Sequence, residues 1–353
     1  MLRDNFVPAS APKPANPNLV RRLQAAADRR DGNLVVFRGR SAFSGSGRRM
    51  SREQVVIDVS RGKKEDDGTV QEPLPFKNSD VHKAFLDAIG EITFRDMRLE
   101  ERMFINGKHV HGNLGLQRDR CEAPRSFVSK ELLRRTAEHP APDARVYVCA
   151  EVHGWQGQQM VTMFARAVHT GGWLYIEWSF HVLPPISTEF TMVDHLYEER
   201  KLRKLRETFA RSLRGTCPAL LASPLVTFGE LGRRLEWKSR ESRQAYRINH
   251  GQIFDYGAKT SVREEASGLR ISRHYFLERD EVMYVLLLQK TLIREIGKFL
   301  DRHNIEQAEF EAQAKIIIDA SFKNYNVHVG EGISNSNISV GEGAKSGGGK
   351  EAG

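Results

Sequence analysis

The sequence predicts an α+β fold: an N-terminal antiparallel-sheet domain with flanking helices, then a mainly helical C-terminal region and a glycine-rich repeat tail. Three observations carry that class. Residues 145–183 contain three runs of apolar alternation with a period of two, separated by turn residues, which is the pattern of a meander. Beyond residue 190 the apolar spacing becomes helical. With 353 residues, 40% hydrophobic and 28% charged, the chain can bury a core and hold two modest domains, which excludes wholly disordered, collagen-like and polytopic classes.

Residues 1–31 combine Pro8, Pro12, Pro14 and Pro17 with an arginine-rich stretch and read as a disordered tail, with a short helix from Pro17 to Arg29 allowed. The α+β domain spans 32–190. Its first strands are Leu34–Phe37 and Gln54–Val59, joined by a loop with Gly39, Gly45 and Gly47. A helix starts at Ser79 or Asp80, either of which can cap the free N–H groups ahead of Val81, Phe85 and Ile89. Asn106-Gly107 predicts a type I′ hairpin pairing 102–105 with 108–111, which puts His109 and His111 on one face. Ser129 caps a helix over 130–139. The meander runs 145–153, 159–167 and 173–183. On its last strand Leu174, Ile176, Trp178, Phe180 and Val182 face a core, and Tyr175, Glu177, Ser179 and His181 face away.

The second half divides into a basic amphipathic segment with a short apolar run (191–250), a helical region (251–322) and the repeat tail (323–353). Leu202, Leu205, Phe209 and Leu213 stripe a helix over 194–214. Further helices span 282–303, begun by an Asp280 cap, and 306–320.

Cys121, Cys149 and Cys217 lie far apart and form no CxxC pair, so neither a disulfide scaffold nor a cysteine-rich zinc site is expected. The first twenty-odd residues lack the apolar run of about 7–15 residues that a signal peptide needs, which places the chain in the cytoplasm, with the inner face of the cell membrane as a further possibility. No cofactor or metal is implied by any motif.

Two stretches, Glu177-Trp-Ser-Phe-His-Val-Leu-Pro-Pro185 and Phe254-Asp-Tyr-Gly-Ala-Lys-Thr-Ser-Val-Arg-Glu264, resemble an uncharacterised family of actinobacterial proteins that share a glycine-rich C-terminal end. The resemblance runs from about Val35 onward. Some members of that family look membrane-associated, with a longer apolar segment before the second stretch; the corresponding segment here is short. The resemblance implies no activity, cofactor or catalytic residue.

Charge is concentrated. Of a net +9, residues 198–247 hold thirteen Lys or Arg against six Glu, which leaves +7. The uncharged run 216–228 at its centre falls short of the ~20 residues that cross a bilayer as a helix. A short apolar run collared by cations suits an interfacial anchor instead, with Lys201, Arg203, Lys204, Arg206, Arg211, Arg233 and Arg234 drawn to anionic headgroups and Trp237 at the interface. Burial of the run in the core, and nucleic acid as the anionic partner, are the alternatives.

Asn326–Ser334 is echoed eleven positions later by Asn337–Lys345, a pattern of Asn, β-branched, variable, Val, Gly, Glu, Gly. Val327, Val329, Ile338 and Val340 can stack between copies of the chain, since two repeats bury no core alone; repulsion between stacked Glu331 or Glu342 side chains argues for a flexible tail.

Catalytic patterns are sparse. Glu177, Ser179 and His181 share a sheet face with Glu151 and His153 on an adjacent strand, but residues two apart on one strand sit about 7 Å from each other, and a polar outer face explains the same letters. His109 and His111 lack an identifiable third metal ligand. Residues 39–49 lack the Lys-Ser/Thr of a phosphate-binding P-loop and read as a mobile loop. The leading expectation is a non-enzymatic cytoplasmic protein that associates peripherally with an anionic membrane surface and self-associates through its repeat. A nucleic-acid-binding protein using 198–247 is the rival, and an enzyme with its site on the 145–183 sheet face is third.

Overall fold

The structure, a computed structural model, describes residues 31–187 (apart from 66, 67, 113, 114 and 118), 190, 242–267 (apart from 244 and 252) and 275–327, together with Pro17, Val20, Leu23 and Gln24. The anchor residues Lys201, Arg203, Lys204, Arg206, Arg211, Arg233, Arg234 and Trp237 lie outside the described residues, as do the apolar run 216–228 and the repeat residues Val329, Ile338 and Val340.

The class is α+β. Strands β1 (Leu34–Phe37), β2 (Arg48–Asp58), β3 (Met97–Asn106), β4 (Ala144–Gly154), β5 (Gln159–Thr170) and β6 (Trp173–Leu183) form one six-stranded sheet in the order β1-β3-β4-β5-β6-β2. All pairings are antiparallel except β1 with β3. Helices α1 (Asn78–Gly90), α2 (Lys130–Glu138), α3 (Val262–Ala266), α4 (Tyr275–Arg302) and α5 (Ala308–Val327) accompany the sheet, with 3₁₀ turns at Val110–Gly112 and Trp155–Gly157.

The expected meander stands, and its parity decides the core. Leu174, Ile176, Trp178, Phe180 and Val182 of β6 join Val148, Ala150, Met163 and Ile57 on one face, buried against Phe85 and Ile89 of α1, Leu288, Leu292 and Phe299 of α4, and Phe310 of α5. Each such large side chain contributes roughly 1.5–3 kcal/mol on burial. The C-terminal helices therefore share the sheet's own core.

Local chemistry sets the helix starts. Ser129 Oγ accepts from Leu132 N at 3.2 Å as expected. At α1 the cap position is Lys77, not Ser79 or Asp80 as expected: both lie inside the first turn, where the Asp80 carboxylate accepts from Lys77 N (2.9 Å), and Glu138 from outside the helix accepts from Asn78 N (3.1 Å) and Ser79 N (3.0 Å). Burial alone would raise the Glu138 pKa, but the Ser79 and Asn78 donors hold it below the usual range.

Four expectations are corrected. Asn106-Gly107 makes no hairpin: β3 ends at Asn106, a 3₁₀ turn follows at Val110–Gly112, and β3 pairs with β1 and β4 instead. Gly107 is there for close approach, since a Cβ would lie 1.8 Å from the Tyr256 carbonyl oxygen. The histidines are consequently apart in role, His109 facing Asp143 at 3.8 Å and His111 Nε2 taking a hydrogen bond from Arg120 Nε at 2.5 Å. Strand β2 begins at Arg48, six residues before the apolar alternation, because pairing with β6 extends it past a bulge between Arg49 and Ser51. Asp280 lies inside α4 and accepts from Trp155 Nε1 at 2.9 Å, so it caps no helix. Helix α5 runs on past the expected end at 320 to Val327, so the first two repeat residues, Asn326 and Val327, are helical in backbone.

Candidate functional site

The sheet's other face carries Arg102, Phe104, Tyr147, Cys149, Glu151, Phe164, Arg166, Glu177, Ser179 and His181, and most of it is hidden from solvent. Glu177 is 6% exposed, His181 7%, Glu151 and Arg102 9% each. The polar face expected on the outside of the meander is thus a buried polar face, which is costly unless its groups are paired.

What covers it follows from topology. Strand β1 is at one edge and β2 at the other, five strand spacings or ~24 Å apart. The linker 38–47 reaches at most about 33–36 Å when extended, so it has to cross the face rather than skirt it. It does so as a strap. Arg38 N donates to Ala258 O at 3.2 Å and Gly45 N to Glu264 Oε2 at 2.6 Å, which pins the strap to the 254–264 stretch. Gly47 has φ +84° and room for no side chain, a Cβ falling 2.2 Å from Val182 O. The loop read as mobile is therefore tied at both ends.

Midway across, Phe43 drops onto an aromatic floor. Its ring stacks on Phe164 at 4.1 Å and 16° and meets Phe104, Tyr147 and His181 edge-on at 5.3 Å each. Beside it opens a cavity of about 770 Å³, within the range of small-molecule sites. Glu177, Ser179 and His181 line it, together with Arg40, Arg49, Arg52 and Arg145. A second cavity of about 540 Å³ lies beyond the strap, between Pro184-Pro185 and Lys259-Thr260-Ser261. There burial raises the Glu281 pKa against the opposing pull of Arg48, 3.9 Å away.

Electrostatics separates two roles on this face. Glu177 accepts from Tyr147 Oη (2.8 Å), Tyr175 Oη (3.2 Å) and Arg52 Nη2 (3.2 Å), with Arg166 Nε at 3.4 Å. Burial would raise its pKa, yet these four neighbours together hold it below the usual carboxylate range. Burial and the same carboxylate push Tyr147 up to about 12. A carboxylate so saturated is an anchor and makes a poor proton acceptor.

His181 is the opposite case. Neither ring nitrogen has a hydrogen bond of good geometry, and burial pulls its pKa down to about 4, offset in part by the nearby Gly47 backbone and aided by Arg49. In the sheet register Arg49 is the direct neighbour of His181, and Thr162, itself with an unpartnered buried hydroxyl, is the neighbour on the other side. Glu151 sits one strand further, opposite Thr162, where Arg102 engages it. No Ser-His-Glu relay is assembled among Ser179, His181 and Glu151. His153 does not line the cavity.

Sequence reasoning placed Glu177, Ser179 and His181 on one face but missed Phe43, Arg49, Arg145 and Tyr147. A signal was present. Phe104, Tyr147, Cys149 and Phe164 are large or apolar at outward positions, which a solvated face would not carry, and they form a separate buried cluster with Phe43. The two stretches that carry the family resemblance meet here too, Arg263 donating to Pro184 O and Gln158 O at 2.8 Å each.

The fold and site define an α+β protein with a strapped, polar-lined cavity on the outer face of a single sheet. An AbeC-like domain matches residues 52–338, and the chain belongs to the AbeC-like family. No curated protein and no solved structure gives a significant match.

Proposed function

We propose that the protein binds a small organic anion in the cavity beneath the 38–47 strap, acting as a ligand-binding protein rather than a catalyst. One observation carries the reading: Arg40, Arg49 and Arg145 line the cavity and have no carboxylate ion-pair partner among the described residues. Guanidinium groups recruited to one concavity without an internal carboxylate favour an external carboxylate or phosphate, which they can grip bidentately. The test is calorimetric titration with inorganic pyrophosphate. Binding that weakens with added salt and disappears in the double variant Arg49→Glu, Arg145→Glu supports the reading; equal heats from wild type and variant discard it.

The +7 segment at 198–247 supports a second reading, peripheral association with an anionic membrane surface, with self-association through the C-terminal repeat. Among the described residues no helix is long and apolar enough to cross a membrane. Sedimentation with phosphatidylserine vesicles tests it. Replacing Lys201, Arg203, Lys204 and Arg206 by Glu abolishes pelleting if the segment is the contact; a gel shift with DNA in place of vesicle binding turns the choice to nucleic acid.

A further inference from the structure

Resting on the anion-binding reading above, we propose that the cavity's ligand is a planar aromatic phosphate whose ring replaces Phe43 on the face of Phe164 and whose phosphate is held by Arg49 beside His181. Phe43 is then an internal stand-in for the ligand ring, and the strap is its carrier.

Phe104, Tyr147 and Phe164 come from β3, β4 and β5, so their positions are set by the sheet. Phe43 comes from the strap and is only half-buried. Between the Arg38 and Gly45 anchors the strap's hydrogen bonds among the described residues are few: Ser44 Oγ and Ser46 N donate to oxygens within the strap itself, and Asn106 Nδ2 reaches Gly39 O at 3.4 Å. The floor is rigid and its cover is lightly held. A ring that leaves Phe164 exposes an aromatic face ready for another ring at the same 4.1 Å spacing.

The polar half of the ligand is specified independently. His181 is 7% exposed, lines this cavity, and meets the Phe43 ring at a steep angle, with neither ring nitrogen in a hydrogen bond of good geometry. Buried imidazole nitrogens are normally satisfied, and an exception marks a place where a partner belongs. Arg49, the register neighbour of His181, supplies the charge. A phosphate between them accepts from the guanidinium and from an imidazole N–H, while the ligand ring competes with Phe43 for the face of Phe164. An uncharged ring would leave Arg49 unused, and a ringless anion would leave Phe43 in place.

Isothermal titration of the full chain with adenosine monophosphate, uridine monophosphate and 1-naphthyl phosphate, with ribose 5-phosphate as the ringless control, tests this. The expected result is that Phe43→Ala tightens at least one aromatic phosphate by about five- to tenfold, by removing the competitor, and leaves ribose 5-phosphate unchanged. Phe43→Leu, which keeps the strap's apolar contact, gives a smaller tightening in the same direction, so a misfolded alanine variant does not decide the matter. On binding, the His181 imidazole resonances of the wild type titrate at higher pH. Aromatic phosphates that bind Phe43→Ala and Phe43→Leu no better than wild type, or no better than ribose 5-phosphate, overturn the proposal while the anion site stands. If pyrophosphate and every aromatic phosphate fail to bind any of these proteins, the anion-binding reading fails with it.

Discussion

Arg102 grips Glu151 bidentately across β3 and β4, Nη1 to Oε1 at 2.5 Å and Nη2 to Oε2 at 2.9 Å, while its Nε reaches Glu100 at 2.5 Å. Both partners are 9% exposed. Burial alone would lower the Arg102 pKa; the Glu151 carboxylate more than reverses it and keeps the guanidinium charged. Removing one partner strands a charge, so Glu151→Ala is expected to cost about 3–5 kcal/mol. Arg102→Met with Glu151→Leu should recover most of that loss. Urea denaturation of the three proteins decides it, and equal midpoints for the single and double variants refute the pairing as a stability determinant.

His181 makes stability depend on pH. Its folded pKa of about 4 lies below the ordinary value of 6.5, so on acidification the unfolded chain takes up the proton first. The stabilising contribution is complete above about pH 6.5 and fades as pH falls towards about 4, by an amount on the order of 3 kcal/mol. His181→Phe should flatten that part of the urea midpoint-versus-pH curve. An unchanged slope between pH 6.5 and 4.5 would assign the acid sensitivity elsewhere.

His82 should be fixed in one tautomer. Its ring, 1% exposed on α1, accepts from Ala167 N at Nε2 (3.3 Å), so Nδ1 carries the proton and donates to Glu101 at 3.0 Å. Nitrogen-15 spectra are expected to show the Nδ1-protonated form. His82→Leu keeps the volume but leaves Ala167 N–H and the carboxylate without their partner, for a loss of roughly 2–3 kcal/mol in thermal or urea unfolding.

Gly107→Ala should loosen the 254–258 stretch. With the new methyl 1.8 Å from Tyr256 O, that backbone must retreat, which also strains the neighbouring bond from Gly107 N to Phe37 O (2.8 Å). Expected are a loss of at least about 2 kcal/mol and faster amide exchange at residues 254–258. Exchange rates equal to wild type would show that the close approach is unimportant.

The meander strands and the start of α2 were legible because they follow from periods and a cap confined to a few residues. Alternation over 173–183 assigned Trp178 and Phe180 to the core and His181 to the other face, and Ser129 announced α2. Asn106-Gly107 misled because the same glycine serves a tight turn or a close contact, and only the position of Tyr256, 149 residues away, chooses between them. The Asp280 cap failed for a similar reason: Trp155 supplies that carboxylate with its donor, and the helix runs on through it.

Local periodicity, then, accounts for which residues turn inward and for the α+β class. The buried state of the opposite face, the strap that lays Phe43 on Phe164, and the meeting of Arg49 with His181 depend on β1 and β2 occupying opposite edges of the sheet. Strand order is settled by long-range packing free energy, and neighbouring residues along the chain carry no record of it.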